Sequence, residues 1–196
     1  MLKKDRKIPN MQVYLDSPMA VSATNILANN MSEHHLSAHL CQEVCSVATY
    51  VNTVEDSKEI DALPQSKIII SASGMASGGR VLHHLKNLIS DPKNTILFTG
   101  YQDPSTRGDR ILKGEKQIKI HGELFAVNAQ IEKITNLSAH ADYQETLQWL
   151  HKFTSQPRKV FIIHGEATAS QALKDKIEAE LKWSCVIPKY LDSEIL

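Results

Sequence analysis

A chain of 196 residues, 42% hydrophobic and 22% charged, is long enough for one full core or two small ones and has the composition of an ordinary globular protein. Lys plus Arg and Asp plus Glu each number 22, so net charge makes no case for a nucleic-acid partner, and any basic surface has to be local. No apolar run approaches a membrane span, the charged stretch 1–9 lacks the apolar core of a secretory signal, and Cys41, Cys45 and Cys185, odd in number, suit a reducing, cytoplasmic setting.

Residues 11–15 read as a short strand. Ser17 is placed to cap the helix that follows, with Pro18 at its first position and the body over 19–29. Residues 34–45 read as a second helix, 47–51 as a strand, and 57–63 as a short helix stopped by Pro64. The apolar run 67–71 has the signature of a buried parallel strand. A glycine-rich turn over 73–79 leads into a helix over 80–90, broken by Asp91-Pro92. Residues 95–99 are another buried strand, ending in Gly100-Tyr101-Gln102. The order β-α-β-turn-α-β implies a mostly parallel, doubly wound α/β domain in which 67–71 and 95–99 lie side by side.

The texture then changes. Residues 117–120, 124–128 and 130–134 are short alternating strands, more like an antiparallel patch. After Leu137 the α/β rhythm returns, with a helix over 141–153, a strand over 159–163, a helix over 167–182 and a last strand over 185–187. A domain seam is expected near Asn136. Two tetrapeptides recur, Leu-Ser-Ala-His at 36–39 and 137–140, and Ile-His-Gly-Glu at 120–123 and 163–166. Their spacings differ, so they are not a duplication.

Four stretches could carry chemistry. His164 follows an apolar strand directly, where functional residues of open α/β sheets gather, and a neutral imidazole there suits zinc; on position alone a histidine bonded to a local carbonyl is the simpler reading. His140 is expected in the first turn of the next helix, with Ser138 as N-cap, where it could hold a phosphate or protonate a leaving oxygen. Ser73-Gly74-Met75-Ala76-Ser77-Gly78-Gly79-Arg80 joins strand to helix without matching a Walker loop or Gly-x-Gly-x-x-Gly. Its amides could cup an anion and Arg80 could add a guanidinium fork; a plain turn is the alternative. Residues 100–110 read as a second polar loop, carrying Arg107 and Arg110. Of His83 and His84, one is expected to pack and the other to be solvated. His34, His35, His39, Cys41 and Cys45 are read as an incidental grouping, not a metal site.

Together, Val-Tyr-Leu-Asp-Ser-Pro-Met-Ala (13–20), Ser-Gly-Met-Ala-Ser-Gly-Gly-Arg (73–80), Gly-Tyr-Gln (100–102), Ser-Ala-His-Ala-Asp (138–142) and His-Gly-Glu (164–166) resemble, in order, the β-CASP family of metallo-β-lactamase-fold RNA-processing nucleases. The resemblance covers nearly the whole chain. It implies that His164 is a zinc ligand and that His140 serves as, or supports, the general acid beside the scissile phosphate. Ser73, Gly74, Gly78, Gly79 and Arg80 become candidate phosphate contacts along single-stranded RNA. One departure is local: the family often has Gly-Thr-x-Gly after Gly-Tyr-Gln, and Ser105 stands where the first glycine would be.

A larger departure is that His-x-His-x-Asp-His, the family's main zinc motif, occurs nowhere in the chain. Residues 1–136 are therefore expected to be most of a β-CASP domain, and 137–196 the C-terminal segment returning to a metallo-β-lactamase domain whose N-terminal part is absent. The complete protein would be a ribonuclease with two zinc ions, while this chain alone would hold no zinc at His164 and would not cleave RNA. Residues 137–196 would fold back on the rest of the chain, pair with a second copy, or be poorly ordered. A non-catalytic RNA-binding protein and a mononucleotide-binding α/β module remain the alternatives.

Overall fold

The structure, a computed structural model, describes Lys7 and residues 9–194; the rest of the charged stretch 1–9, and residues 195–196, lie outside the described residues. The chain is an α/β protein with mixed parallel and antiparallel sheets, dividing into two compact units, residues 1–137 and 138–196.

The first unit opens with β1 (Gln12–Asp16) and α1 (Pro18–Asn29). Ser17 caps α1 as its sequence suggests, its hydroxyl accepting the Ala20 N–H at 3.3 Å. The expected helix over 34–45 is shorter. A 3-10 turn (Met31–Glu33) comes first, and Ser37 then caps α2 (Ala38–Cys45), since a serine there offers its oxygen to the Leu40 amide. After β2 (Thr49–Tyr50), α3 (Val54–Ala62) begins earlier than expected because Thr53 caps it.

β3 (Lys67–Ser71) pairs in parallel with β1 over its whole length, and β1 pairs in parallel with β2, giving the order β2-β1-β3. Two expectations fail here. β3 does not lie beside β4 (Thr95–Phe98), which pairs in parallel with β7 (Gln130–Lys133) instead. Nor is β3 fully buried: Ile68 and Ile70, which share one face, are 36% and 47% exposed. An apolar run announces a parallel strand but not which strand lies next to it, nor whether both faces are covered.

α4 (Val81–Leu88) presents Leu82 and Leu85, with Ile89 just past its end, at helical spacing toward a core shared with Ala76, Phe98, Ile111, Ile118 and Ile120. Each such aliphatic or aromatic side chain taken out of water contributes on the order of 1.5–3 kcal/mol before entropy is charged against it. The expected polar loop over 100–110 is partly helical, because Thr106 caps α5 (Arg107–Leu112) through the Asp109 N–H at 3.3 Å. β5 (Gln117–Ile120) and β6 (Glu123–Ala126) form the antiparallel hairpin that their alternation suggests, whereas β7 leaves the patch to join β4.

The second unit contains α6 (Tyr143–Leu150), β8 (Val160–Phe161), α7 (Ala167–Leu181) and β9 (Cys185–Val186), with β8 and β9 parallel. Leu147, Leu150, Ile162, Ile177, Trp183 and Cys185 form a core of its own. No helix among the described residues is long and apolar enough to cross a membrane.

Candidate functional site

The glycine loop 73–80 joins β3 to α4, and its polarity is largely sorted, the Ser77 carbonyl alone having no donor among the described residues. The carbonyl of Ala72 accepts from Val81 N at 3.3 Å, that of Ser73 from Ala76 N at 3.1 Å, and that of Met75 from Gly108 N at 3.0 Å. The Gly74 carbonyl accepts from the Gln102 side chain at 2.9 Å, and the Ala76 carbonyl from the Arg107 guanidinium. By contrast, the backbone N–H groups of Gly74, Met75, Gly78, Gly79 and Arg80 have no acceptor among the described residues. Two short runs of amides without partners, 74–75 and 78–80, beside carbonyls that, Ser77's apart, are engaged, form an arrangement that can bind an anion.

The loop's glycines serve different ends. Gly79 sits at φ +78, and a Cβ there would lie 2.7 Å from the Ala72 carbonyl oxygen, so only glycine closes the loop. A Cβ on Gly74 or Gly78 would meet nothing within 4 Å; their lack of a side chain leaves the outer surface of the loop open to a ligand. The Ser73 hydroxyl accepts the Ser77 N–H at 3.2 Å and can still donate outward.

Arg80 does not extend its guanidinium as a fork to solvent. It turns inward to Asp16 and to the carbonyls of Val51 and Asn52, each at 3.1 Å. Three of its five guanidinium hydrogens are spent there, and its backbone N–H has no acceptor among the described residues. Arg107 is likewise engaged, by the Ala76 carbonyl and by that of Lys119 at 2.9 Å, and Arg110 pairs with Glu115.

Beneath the loop lies a charged cluster that the sequence did not reveal. Asp16, 0% exposed, accepts from Arg80, from the Ser57 hydroxyl at 2.5 Å and from His84 Nε2 at 2.8 Å. His84 Nδ1 lies 2.6 Å from Asp61, whose second oxygen accepts from Asn87 at 2.6 Å. Both ring nitrogens of His84 face carboxylates, so both carry hydrogens and the ring is an imidazolium. Burial would lower its pKa, but the bonds and charges of Asp61 and Asp16 hold it above its ordinary 6.5. Burial would raise Asp16, but the bonds from Ser57, Arg80 and His84 hold it below 3.8. The expectation that one of His83 and His84 packs is met by His84; His83 is exposed and stacks loosely on His121, 5.0 Å between ring centroids. A carboxylate closing the apolar strand 12–16 was the available signal for Asp16. Nothing marked Asp61.

In the second unit, His140 does not sit in the first turn of α6. The N-cap is Asp142, not Ser138. Its carboxylate accepts Glu145 N at 2.9 Å, and the Glu145 side chain accepts Asp142 N at 3.0 Å, a full capping box. Asp142 outcompetes Ser138 because it has Glu145 three residues on to complete the box. His140 therefore precedes the helix, exposed, with its own N–H donated to the Ser138 hydroxyl at 3.1 Å. His164 is also exposed, at φ 65, just after β8. Gly165 beside it is needed for space: a Cβ there would run into the Ser170 hydroxyl on α7.

Among the described residues, no group of three or more His, Cys, Asp or Glu side chains is arranged to hold a metal ion. The residues present therefore do not fit a zinc centre by themselves. His34 illustrates the point in the cysteine-rich region: its Nε2 is bonded to the Leu27 carbonyl at 3.1 Å.

Residues 1–111 match the model of the β-CASP domain, and residues 125–188 match that of the Zn-dependent metallo-hydrolase RNA specificity domain. The chain belongs to the β-CASP family of metallo-β-lactamase-fold nucleases. It is 34% identical over 174 residues to Ribonuclease TTHA0252 of Thermus thermophilus, which covers 85% of this chain and 39% of that protein. It is also similar to proteins named Transcription termination factor FttA. That of Methanosarcina mazei is 30% identical, covering 89% of this chain and 29% of the relative. That of Methanococcus maripaludis is 31% identical, covering 94% and 31%. The chain thus spans between about three tenths and two fifths of the length of these curated relatives.

Proposed function

We propose that this chain is the RNA-gripping, C-terminal portion of a cytoplasmic, zinc-dependent ribonuclease, and that by itself it binds single-stranded RNA without cleaving it. The observation that carries the reading is the sorted loop. Its free amides at Gly74, Met75, Gly78, Gly79 and Arg80 suit a backbone phosphate, which every RNA sequence offers. The relatives support it, one being named a ribonuclease and others transcription termination factors.

In this reading residues 1–136 are most of the β-CASP domain and 137–196 the C-terminal segment of the metallo-β-lactamase domain. Ser73, Gly74, Gly78, Gly79 and Arg80 hold phosphate, Arg80 through its amide. His164 supplies one zinc ligand, and the other ligands come from sequence outside this chain. His140 donates the proton to the leaving oxygen; its exposed ring is free to reach a substrate. No hydrolytic step is assigned to these residues acting alone, since a single histidine does not make a catalytic zinc site.

The test is a zinc-supplemented cleavage assay on single-stranded RNA, run on this chain and on a longer protein that restores the length seen in the relatives. Cleavage is expected from the longer protein only. Robust cleavage by this chain, abolished by a chelator, would refute the reading. Saturable RNA binding by both proteins with cleavage by neither would favour the non-catalytic alternative.

A further inference from the structure

We propose that Gln102, Gly108 and Arg107 are positioning residues that hold the carbonyls of Gly74, Met75 and Ala76 inward so that these three positions do not turn an oxygen toward a phosphate. This rests on the loop being the phosphate site. The three donors come from one segment, the turn after β4 and the start of α5. Gln102 Nε2 reaches the carbonyls of Gly74 at 2.9 Å, Tyr101 at 3.0 Å and Gly100 at 3.4 Å. The Gly108 N–H takes the Met75 carbonyl at 3.0 Å, and Arg107 takes that of Ala76. Arg107 is anchored from the other side by the Lys119 carbonyl at 2.9 Å.

The clamp is built at a cost in stability. Gln102 is 7% exposed, and its Oε1 has no hydrogen-bond partner among the described residues. A buried acceptor left unsatisfied calls for an explanation, and an apolar side chain of the same length would avoid it. Gly108 belongs to the same device, because a Cβ there would land on that oxygen and drive the amide off its carbonyls. Local rules broken without a packing gain are expected where function sets the geometry. Turned outward, the same carbonyls would face an incoming phosphate and repel it.

The test uses this chain as it stands, with inorganic phosphate and a ten-nucleotide uridine oligoribonucleotide as probes. Backbone amide resonances are followed by NMR, affinity by anisotropy, and folding by thermal melting. In the parent chain, phosphate is expected to shift the amides of Gly74, Met75, Gly78, Gly79 and Arg80. Gln102→Met should melt within a few degrees of the parent yet bind the oligonucleotide roughly tenfold more weakly, with those shifts reduced. Arg107→Met should behave alike, and Arg107→Lys, which keeps one donor, should recover part of the affinity. If the parent loop amides do not respond to either probe, the phosphate reading fails and the clamp with it. If they respond, and folded Gln102→Met and Arg107→Met bind as the parent does, the phosphate reading stands and the positioning role is overturned. Should Gln102→Met not fold, the Arg107→Met and Arg107→Lys pair decides by the same criteria.

Discussion

His84 on α4 and Asp16 at the end of β1, 68 residues apart in sequence, meet at 2.8 Å between Nε2 and Oδ2. The ring's other nitrogen is bound by Asp61, so one imidazolium joins β1, α3 and α4 beneath the glycine loop. Together with Arg80 the cluster holds two negative and two positive charges, and it balances only while His84 keeps its proton.

The pH dependence follows from the direction of each shift. His84 has a folded pKa above its unfolded 6.5, so its contribution is complete below 6.5 and is lost as pH rises through the folded value. Asp16 has a folded pKa below 3.8, so its contribution is present above 3.8 and is lost as pH falls through the folded value. Urea midpoints measured upward from pH 6 should therefore fall on the alkaline side, and His84→Gln should flatten that fall. Parallel profiles for parent and variant would contradict it. His84→Ala, leaving two buried carboxylates short of a partner, should cost about 3–5 kcal/mol.

Ser105 occupies φ 76, a left-handed backbone that suits glycine. The serine standing in the family's glycine position has thus kept the glycine conformation. Ser105→Gly should stabilise the chain by about 1 kcal/mol, since the strain relieved exceeds the entropy lost. Chemical denaturation measures this directly. A destabilised variant would mean that the Ser105 side chain contributes more than its backbone costs.

Gly165 and Ser170 should be coupled. Gly165→Ala pushes a methyl into the Ser170 hydroxyl and is expected to cost about 1–3 kcal/mol, the usual range for overpacking. Ser170→Ala removes the obstructing atom, so the double variant should lose less than the sum of the singles. Additive effects in a double-mutant cycle would rule out that contact as the reason for the glycine.

RNA affinity should depend only weakly on salt. Three arginines facing phosphate would give a slope of log affinity against log salt near about −2 on a single strand. Arg80 and Arg110 are instead paired with the carboxylates of Asp16 and Glu115, Arg107 alone keeps an unpaired charge while bonding two carbonyls, and neutral amides release no counterions. A slope shallower than about −1 is expected from anisotropy titrations between 50 and 200 mM salt, roughly the range over which counterion release is read. A slope near −2 would return the arginines to the interface.

Much of the chain's organisation was legible in the sequence because it depends on local chemistry. Ser17-Pro18 starts a helix, the glycines over 73–79 mark a turn, and the alternation of 117–120 and 124–128 marks an antiparallel pair, seen as 117–120 against 123–126. Long-range choices were not legible. Nothing in the run 67–71 says that its partner is 12–16 and not 95–98. Arg80 looks like a phosphate fork until Asp16 is found 64 residues upstream to take it. Competition between caps is not legible either: Ser138 and Asp142 both suit an N-cap, and the capping box with Glu145 decides for Asp142. Gln102 was visible as part of a motif, but its task depends on carbonyls 28 residues away.

His140 and His164 occupy matching places, each two residues before the N-cap of a helix, Asp142 for α6 and Glu166 for α7. Their proposed work nevertheless differs, zinc ligation for His164 and proton donation for His140. The most direct measurement is the single-turnover rate of RNA cleavage, with zinc content determined on the same samples, for His140→Ala and His164→Ala in the longer protein. His164→Ala should lose zinc and with it activity, partly recovered by excess metal. His140→Ala should keep zinc and RNA affinity while cleaving more slowly by roughly two to four orders of magnitude. Loss of zinc in His140→Ala with retention in His164→Ala would reverse the two roles, and unchanged rates in both would remove the histidines from the active site altogether.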